Sequence, residues 1–156
     1  MPATKQKSLG APLLGALLRM PVDVIRERML AALHDRGFTD ITPAHLIVLR
    51  YPGPNNLRPV ELAAQIGMSK QALNYLLRQL EDGGYLELIE DPDDHRSKRV
   101  SVTERGWETG RVMRAAVTEI EREFAAEHGE EKLEALRAGL LDLNRTLFED
   151  SGPASA

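Results

Sequence analysis

At 156 residues, with 42% apolar and 28% charged side chains, the chain has the size and balance of a single globular domain with a core of its own. It contains no cysteine, which excludes disulfides, thiolate metal sites, cysteine nucleophiles and thiol redox sensing, and 4% aromatic residues argue for helices over a large sandwich or barrel core. The net charge of −4 is unevenly spread: residues 1–36 carry six Lys and Arg against three Asp and Glu, residues 69–106 six against eight, and residues 107–156 six against eleven.

Residues 1–12 read as a flexible arm. The apolar stretch that follows is cut by Gly15, Arg19 and Pro21 and is too short for a membrane span, so a cytoplasmic protein is expected. Leu14, Leu17 and Leu18, then Ile25, Met29 and Leu33, lie at helical spacings on either side of Pro21. This predicts a short helix, a break, and a second helix from near Met20 to near Gly37. Thr42-Pro43 has the form of a cap followed by a first-turn proline. It opens a short helix through His45, Leu46, Leu49 and Tyr51 that Pro52-Gly53-Pro54 stops. After an Asn55-Asn56 loop, Pro59 opens another helix, ended by Gly67. Ser69 caps the next one, whose Leu73, Leu76, Leu77 and Leu80 make one apolar stripe, and Gly83-Gly84 terminates it. Leu86–Glu90 and Val100–Val102 alternate as short strands, joined by a charged nine-residue loop from Asp91 to Arg99. Thr103 caps a long helix to about Ala126, with Met113, Val117, Ile120 and Phe124 on one side. A last helix from Glu130 to Phe148 sets Leu133, Leu136, Leu140, Leu143 and Leu147 at alternating steps of three and four, and a disordered tail is expected over 151–156.

Ala63 at a helix crossing, Gly67 for a tight turn, and Leu62, Ile66, Met68, Leu73 and Leu76 locking the pair fit a helix-turn-helix. Its second helix would present Lys70, Gln71, Asn74, Tyr75 and Arg78, side chains able to contact base edges in a major groove. An ordinary amphipathic hairpin with a solvated polar face fits the two helices equally well. The β-hairpin that follows favours a winged form, its loop carrying Arg96, Lys98 and Arg99 toward a minor groove or flanking phosphates, with Asp93 or Asp94 able to orient Arg96. The expected fold is therefore mainly α with a small β-hairpin wing: N-terminal dimerisation helices over 13–36, a winged helix-turn-helix domain over 37–103, and C-terminal dimerisation helices over 104–150.

Asp94-His95-Arg96, Val100-Ser101-Val102 and Thr103-Glu104-Arg105-Gly106, together with Leu62 to Leu80, resemble the multiple antibiotic resistance regulator (MarR) family. The first three resemble its wing signature of Asp, one residue, Arg, then a strand running into Thr-Glu-Lys/Arg-Gly. The resemblance implies a homodimer with intertwined outer helices that binds a pseudo-palindromic duplex. It places the recognition helix over Ser69 to Arg78 and makes Arg96 the wing arginine and Asp94 its orienting partner. It further implies a small aromatic or anionic effector that releases DNA, for which Arg19, Arg26, His34, Arg50 and Trp107 are candidate lining residues; Trp107 also reads as a packing anchor. The recognition helix departs from the Thr/Ser-Val-Ser/Thr core of many members, so no base preference carries over.

Dimerisation has support of its own, because Leu14, Leu17 and Leu18 and the seam of Leu133, Leu136, Leu140, Leu143 and Leu147 need covering; packing of the last helix on the first within one chain is the alternative. His34, His45, His95 and His128 lack ligand spacing and read as surface or helix-end residues. Neither a nucleophile elbow nor a phosphate-binding glycine loop is present, so an enzyme, a cofactor and a metal are not expected. The expected function is a DNA-binding transcriptional regulator, more readily a repressor. The competing reading is a winged-helix protein-interaction module, which the net acidity would suit.

Overall fold

The computed structural model describes residues 11–50 and 53–148, so the expected arm up to residue 10, Tyr51-Pro52 and the tail over 151–156 lie outside the described residues. The elements run α1 (Leu14–Asp35), α2 (Pro43–Leu49), α3 (Pro59–Ile66), α4 (Lys70–Asp82), β1 (Leu86–Asp91), β2 (Asp94–Val102), α5 (Glu104–His128) and α6 (Glu130–Phe148). They form two compact units whose boundary falls between Ala116 and Val117, within α5.

The first unit is built around the apolar stripe of α4. Leu73, Leu77 and Leu80 are fully buried, joined by Leu33 of α1, Phe38 and Ile41 of the α1–α2 turn, Leu46 and Val48 of α2, Leu62 of α3, Leu86 and Val100 of the hairpin, and Val112 and Met113 of α5. Left-handed glycines close the helices where the sequence places stop signals. At Gly67 (φ 68°) the Met68 N–H turns back to the Ala63 carbonyl at 3.0 Å, and at Gly84 (φ 72°) the Tyr85 N–H reaches the Leu80 carbonyl at 2.9 Å.

The segment Thr103 to Gly106 locks the end of the hairpin to the end of α4. The Thr103 hydroxyl donates to the Gly84 carbonyl at 2.6 Å and accepts from the Gly106 N–H at 3.1 Å, while the Thr103 N–H bonds to the Tyr85 carbonyl at 3.1 Å. Gly106 is required here, since a Cβ on it would sit 2.0 Å from the Tyr85 carbonyl oxygen. The Arg105 guanidinium lies over the rings of Tyr85 and Phe38, at 4.7 and 5.1 Å from their centroids, and donates to the Gly83 carbonyl and the Tyr85 hydroxyl. Burial first, and donation to Asp40 second, push the Tyr85 phenol up, so it remains a neutral donor.

Two expectations are corrected. Pro21 does not break the first helix: α1 is continuous from Leu14 to Asp35. The proline removes one backbone donor, but it lies in the exposed half of the helix, where water can serve the carbonyl of Leu17. The wing is not two short strands with a nine-residue loop. β1 and β2 pair as far as Asp91↔Asp94, leaving a tip of Pro92-Asp93, and the register jumps from Glu90↔Lys98 to Asp91↔Asp94, so that His95, Arg96 and Ser97 bulge from β2. From Asp94 to Arg99 every side chain of β2 is polar or charged, so this segment lacks the apolar alternation by which a half-buried strand is recognised.

In the second unit, α5 continues to His128, Gly129 (φ 95°) makes the turn, and α6 carries no buried residue. Arg137 ties the two helices through Glu121 at 3.4 Å. Among the described residues, no helix is long and apolar enough to cross a membrane.

Candidate nucleic-acid interface

The exposed face of α4 begins at its cap. The Ser69 hydroxyl accepts the Ala72 N–H at 3.2 Å; Lys70 is exposed in the first turn, and Gln71, Asn74, Tyr75 and Arg78 lie exposed on the side away from the leucine stripe. Among the described residues, no hydrogen bond or ion pair engages the side-chain nitrogens of Lys70, Arg78, Arg96 or Lys98. These four cations are therefore available to phosphates.

The wing cations divide into two kinds. Arg96 and Lys98 are exposed. Arg99 instead turns to the base of the hairpin, where it pairs with Asp93 at 2.9 Å and lies 3.0 Å from Asp91 through Nε. That second contact is Coulombic, because the Nε–H is not aimed at the carboxylate. Asp91 is fully buried and also accepts from the Arg58 guanidinium at the start of α3 and, at 2.9 Å, from the backbone N–H of Asp93. Burial alone would raise its carboxyl, but the Asp93 N–H, Arg99 and Arg58 together outweigh it and hold Asp91 at about 2. The result is a clamp of two arginines and two aspartates joining the wing to the helix-turn-helix. Backbone bonds reinforce it: Asn56 N–H to the Val100 carbonyl at 2.7 Å, and Val100 N–H to the Leu57 carbonyl at 2.9 Å.

The expected orienting partner of Arg96 works differently from expectation. Asp94 does not hold the guanidinium; it accepts the Arg96 backbone N–H at 3.1 Å and the Ser97 hydroxyl at 2.7 Å. The Ser97 hydroxyl, then the Arg96 N–H, hold its carboxyl below the usual range, so it stays an ionised acceptor that shapes the bulge. Asp93 serves Arg99, not Arg96.

Sequence reasoning missed Arg58 and Asp91, which lie 33 residues apart. Their signal was an arginine where a small polar cap is usual, and an aspartate opening the hairpin turn. His45, read as a surface or helix-end residue, does sit in the first turn of α2, but it is 5% exposed and hydrogen-bonded on both ring nitrogens.

The other predicted residues are placed as follows. Leu14 and Leu17 on α1, and Leu136 and Leu147 on α6, are half-exposed or more; Leu18, Leu133, Leu140 and Leu143 are partly buried. Of the five effector candidates, Arg19 and Arg50 are exposed, Arg26 pairs loosely with Asp23 at 3.8 Å, and Trp107 is 48% exposed in the first turn of α5. His34 spends Nε2 on the Ile41 carbonyl at 2.8 Å, closing the α1–α2 turn. Among the described residues, no hydrogen bond or ion pair joins any two of the five, and no cluster of metal-ligating side chains occurs.

A model of the MarR family matches residues 39–97. The chain is 32% identical over 115 residues to the exopolysaccharide II synthesis transcriptional activator ExpG of Rhizobium meliloti; the match takes in 74% of this chain and spans 58% of that protein. Among solved structures it is similar to a transcriptional regulator of Thermotoga maritima, with 26% identity, a TM-score of 0.60, and 88% and 94% of the two chains covered. It is also similar to a MarR family protein of Mycobacterium tuberculosis in complex with salicylic acid, with 27% identity, a TM-score of 0.62, and 86% and 98% covered.

Proposed function

The chain belongs to the MarR family of winged helix-turn-helix regulators, proteins that bind DNA and are not enzymes, and from that premise we propose that it binds a pseudo-palindromic operator as a homodimer and represses from it. The observation that carries this reading is the exposed polar face of α4 in the same unit as a wing whose base is clamped and whose bulge exposes Arg96. Gln71, Asn74, Tyr75 and Arg78 read base edges or adjacent phosphates in the major groove, Ser69 and Lys70 anchor the start of the helix, and Arg96 and Lys98 reach the minor groove or its phosphates. Asp94 and Arg99 act by shaping the wing.

Half-exposed leucines on α1 and α6 supply the dimer interface. Two-fold symmetry then sets the recognition helices about one DNA turn, roughly 34 Å, apart. The Mycobacterium relative was solved with salicylic acid, which supports a small aromatic anion as effector, with Arg19, Arg26, Arg50 and Trp107 as the residues to probe. The relative named as an activator supplies the opposite regulatory sign; a reporter driven from the recovered operator, with and without the protein, decides between them.

The test is selection of bound duplexes from a random pool at about 0.15 M salt, near physiological ionic strength, with Arg96→Ala in parallel. Recovery of an inverted repeat that Arg96→Ala fails to retain supports the reading. No enrichment overturns it in favour of a protein-interaction module, the reading that the net charge of −4 favours.

A further inference from the structure

A chain of hydrogen bonds runs from the core to the exposed face of α4. His45, in the first turn of α2, is buried, and its Nδ1 lies 3.1 Å from the backbone nitrogen of Thr42. A backbone amide can only donate, so Nδ1 holds a lone pair and the proton of the neutral ring sits on Nε2. Nε2 is 3.0 Å from Gln79 Oε1, an atom that can only accept, so the same tautomer satisfies both ends. With Oε1 committed to His45, the amide orientation of Gln79 is fixed. Its nitrogen then faces Tyr75 Oη at 3.1 Å and donates to it.

One lone pair of Tyr75 is thereby occupied and its hydroxyl proton is left over. Tyr75 is 64% exposed, on the face that carries Gln71, Asn74 and Arg78. We propose that Tyr75 is a hydrogen-bond donor of set polarity, directed at an acceptor on the DNA, and that Gln79 and His45 are its positioning residues. The inference rests on the DNA-binding reading above and adds to it a chemical preference. Purine N7, guanine O6, thymine O4 and phosphate oxygens accept such a proton, whereas the amino groups of adenine and cytosine do not.

The full-length protein and the duplex it selects are the materials. Tyr75→Phe deletes one hydroxyl and should weaken binding roughly 5- to 150-fold, the range for leaving a single acceptor unsatisfied. Gln79→Met keeps the side-chain length without the amide. It should weaken binding by less, and should have no further effect in a Tyr75→Phe background; a purely structural contribution of Gln79 would instead multiply with that of Tyr75. Duplexes carrying 7-deazapurines or methylphosphonates at single positions separate a base acceptor from a phosphate. The substitution that removes the acceptor lowers wild-type affinity to that of Tyr75→Phe and leaves Tyr75→Phe unchanged. In the free protein, ¹⁵N shifts of His45 should report the Nε2–H tautomer.

Equal affinity of Tyr75→Phe and wild type for the selected duplex overturns the inference alone, as does an Nδ1–H tautomer at His45. Multiplicative effects remove Gln79 from the chain. Failure to select any duplex overturns the DNA-binding reading itself, and this inference with it.

Discussion

Gly106→Ala isolates a steric requirement in the first turn of α5 that the helix itself does not impose. The new methyl would meet the Tyr85 carbonyl oxygen at 2.0 Å, Val102 Cγ1 at 2.7 Å and the Tyr85 carbonyl carbon at 3.1 Å. The carbonyl cannot retreat freely, because it accepts the Thr103 N–H at 3.1 Å. Overpacking a tight site costs about 1–3 kcal/mol, and displacing that buried carbonyl from its donor adds about 1–3 kcal/mol. Exchanging glycine for alanine in a helix returns roughly 0.5–1 kcal/mol. The net expectation is a loss of about 1–5.5 kcal/mol. Gly110→Ala, one turn along the same helix where a Cβ meets nothing within 4 Å, should instead gain roughly 0.5–1 kcal/mol. Urea unfolding of both variants and wild type at one fixed protein concentration, followed by far-ultraviolet circular dichroism, reads the difference. A Gly106→Ala midpoint equal to that of wild type or of Gly110→Ala would refute the close-approach reasoning.

The Asp91 clamp makes a pH-dependent contribution whose sign follows from its lowered carboxyl. It is fully present above the ordinary value of 3.8 and is lost as pH falls toward about 2, because the unfolded chain takes up the proton first. Unfolding midpoints between pH 5 and 3 should therefore fall more steeply for wild type than for Asp91→Asn, and parallel slopes would exclude the clamp as an ionised unit. Arg96→Ala should weaken binding to the selected duplex and reduce the slope of log affinity against log salt by about 1 per phosphate contact removed; an unchanged slope would place Arg96 away from phosphates. Paired substitution of Leu136 and Leu147 by glutamine should shift the chain toward monomer in analytical ultracentrifugation and weaken duplex binding with it. A dimer of unchanged affinity would move the interface off α6.

Elements governed by local rules were legible in the sequence. The leucine period of α4, the Ser69 cap, Pro59 at the start of α3 and the paired glycines after Asp82 each have one physical reading, and the structure follows it. The Thr-Glu-Arg-Gly motif was legible as a signature, but the reason for its glycine lies across the chain in the carbonyl of Tyr85. What escaped depends on pairs distant in sequence. Arg58 and Asp91 each look like a surface charge until the fold brings them together, and His45 looks like a helix-end residue until Gln79 is seen opposite it. The wing misled for a different reason. Its strands are held by backbone pairing while their outer halves carry polar and charged side chains, so polarity alone reads as loop. Pro21 misled because the cost of a proline depends on what surrounds it, and an exposed helical half tolerates a missing donor.

The helix α6 has 19 residues and buries none of them, although it displays Leu136, Leu141, Leu147 and Phe148 to solvent. Most of a helix's stability in a protein comes from packing of its apolar face, so whatever covers that face adds to the order of α6. If the cover is a second copy of the chain, ordering the C-terminal helix and acquiring a partner become coupled equilibria, and the protein's melting point rises with its own concentration. The abundance of the regulator in a cell would then set how many molecules exist in binding-competent form as well as how many exist at all.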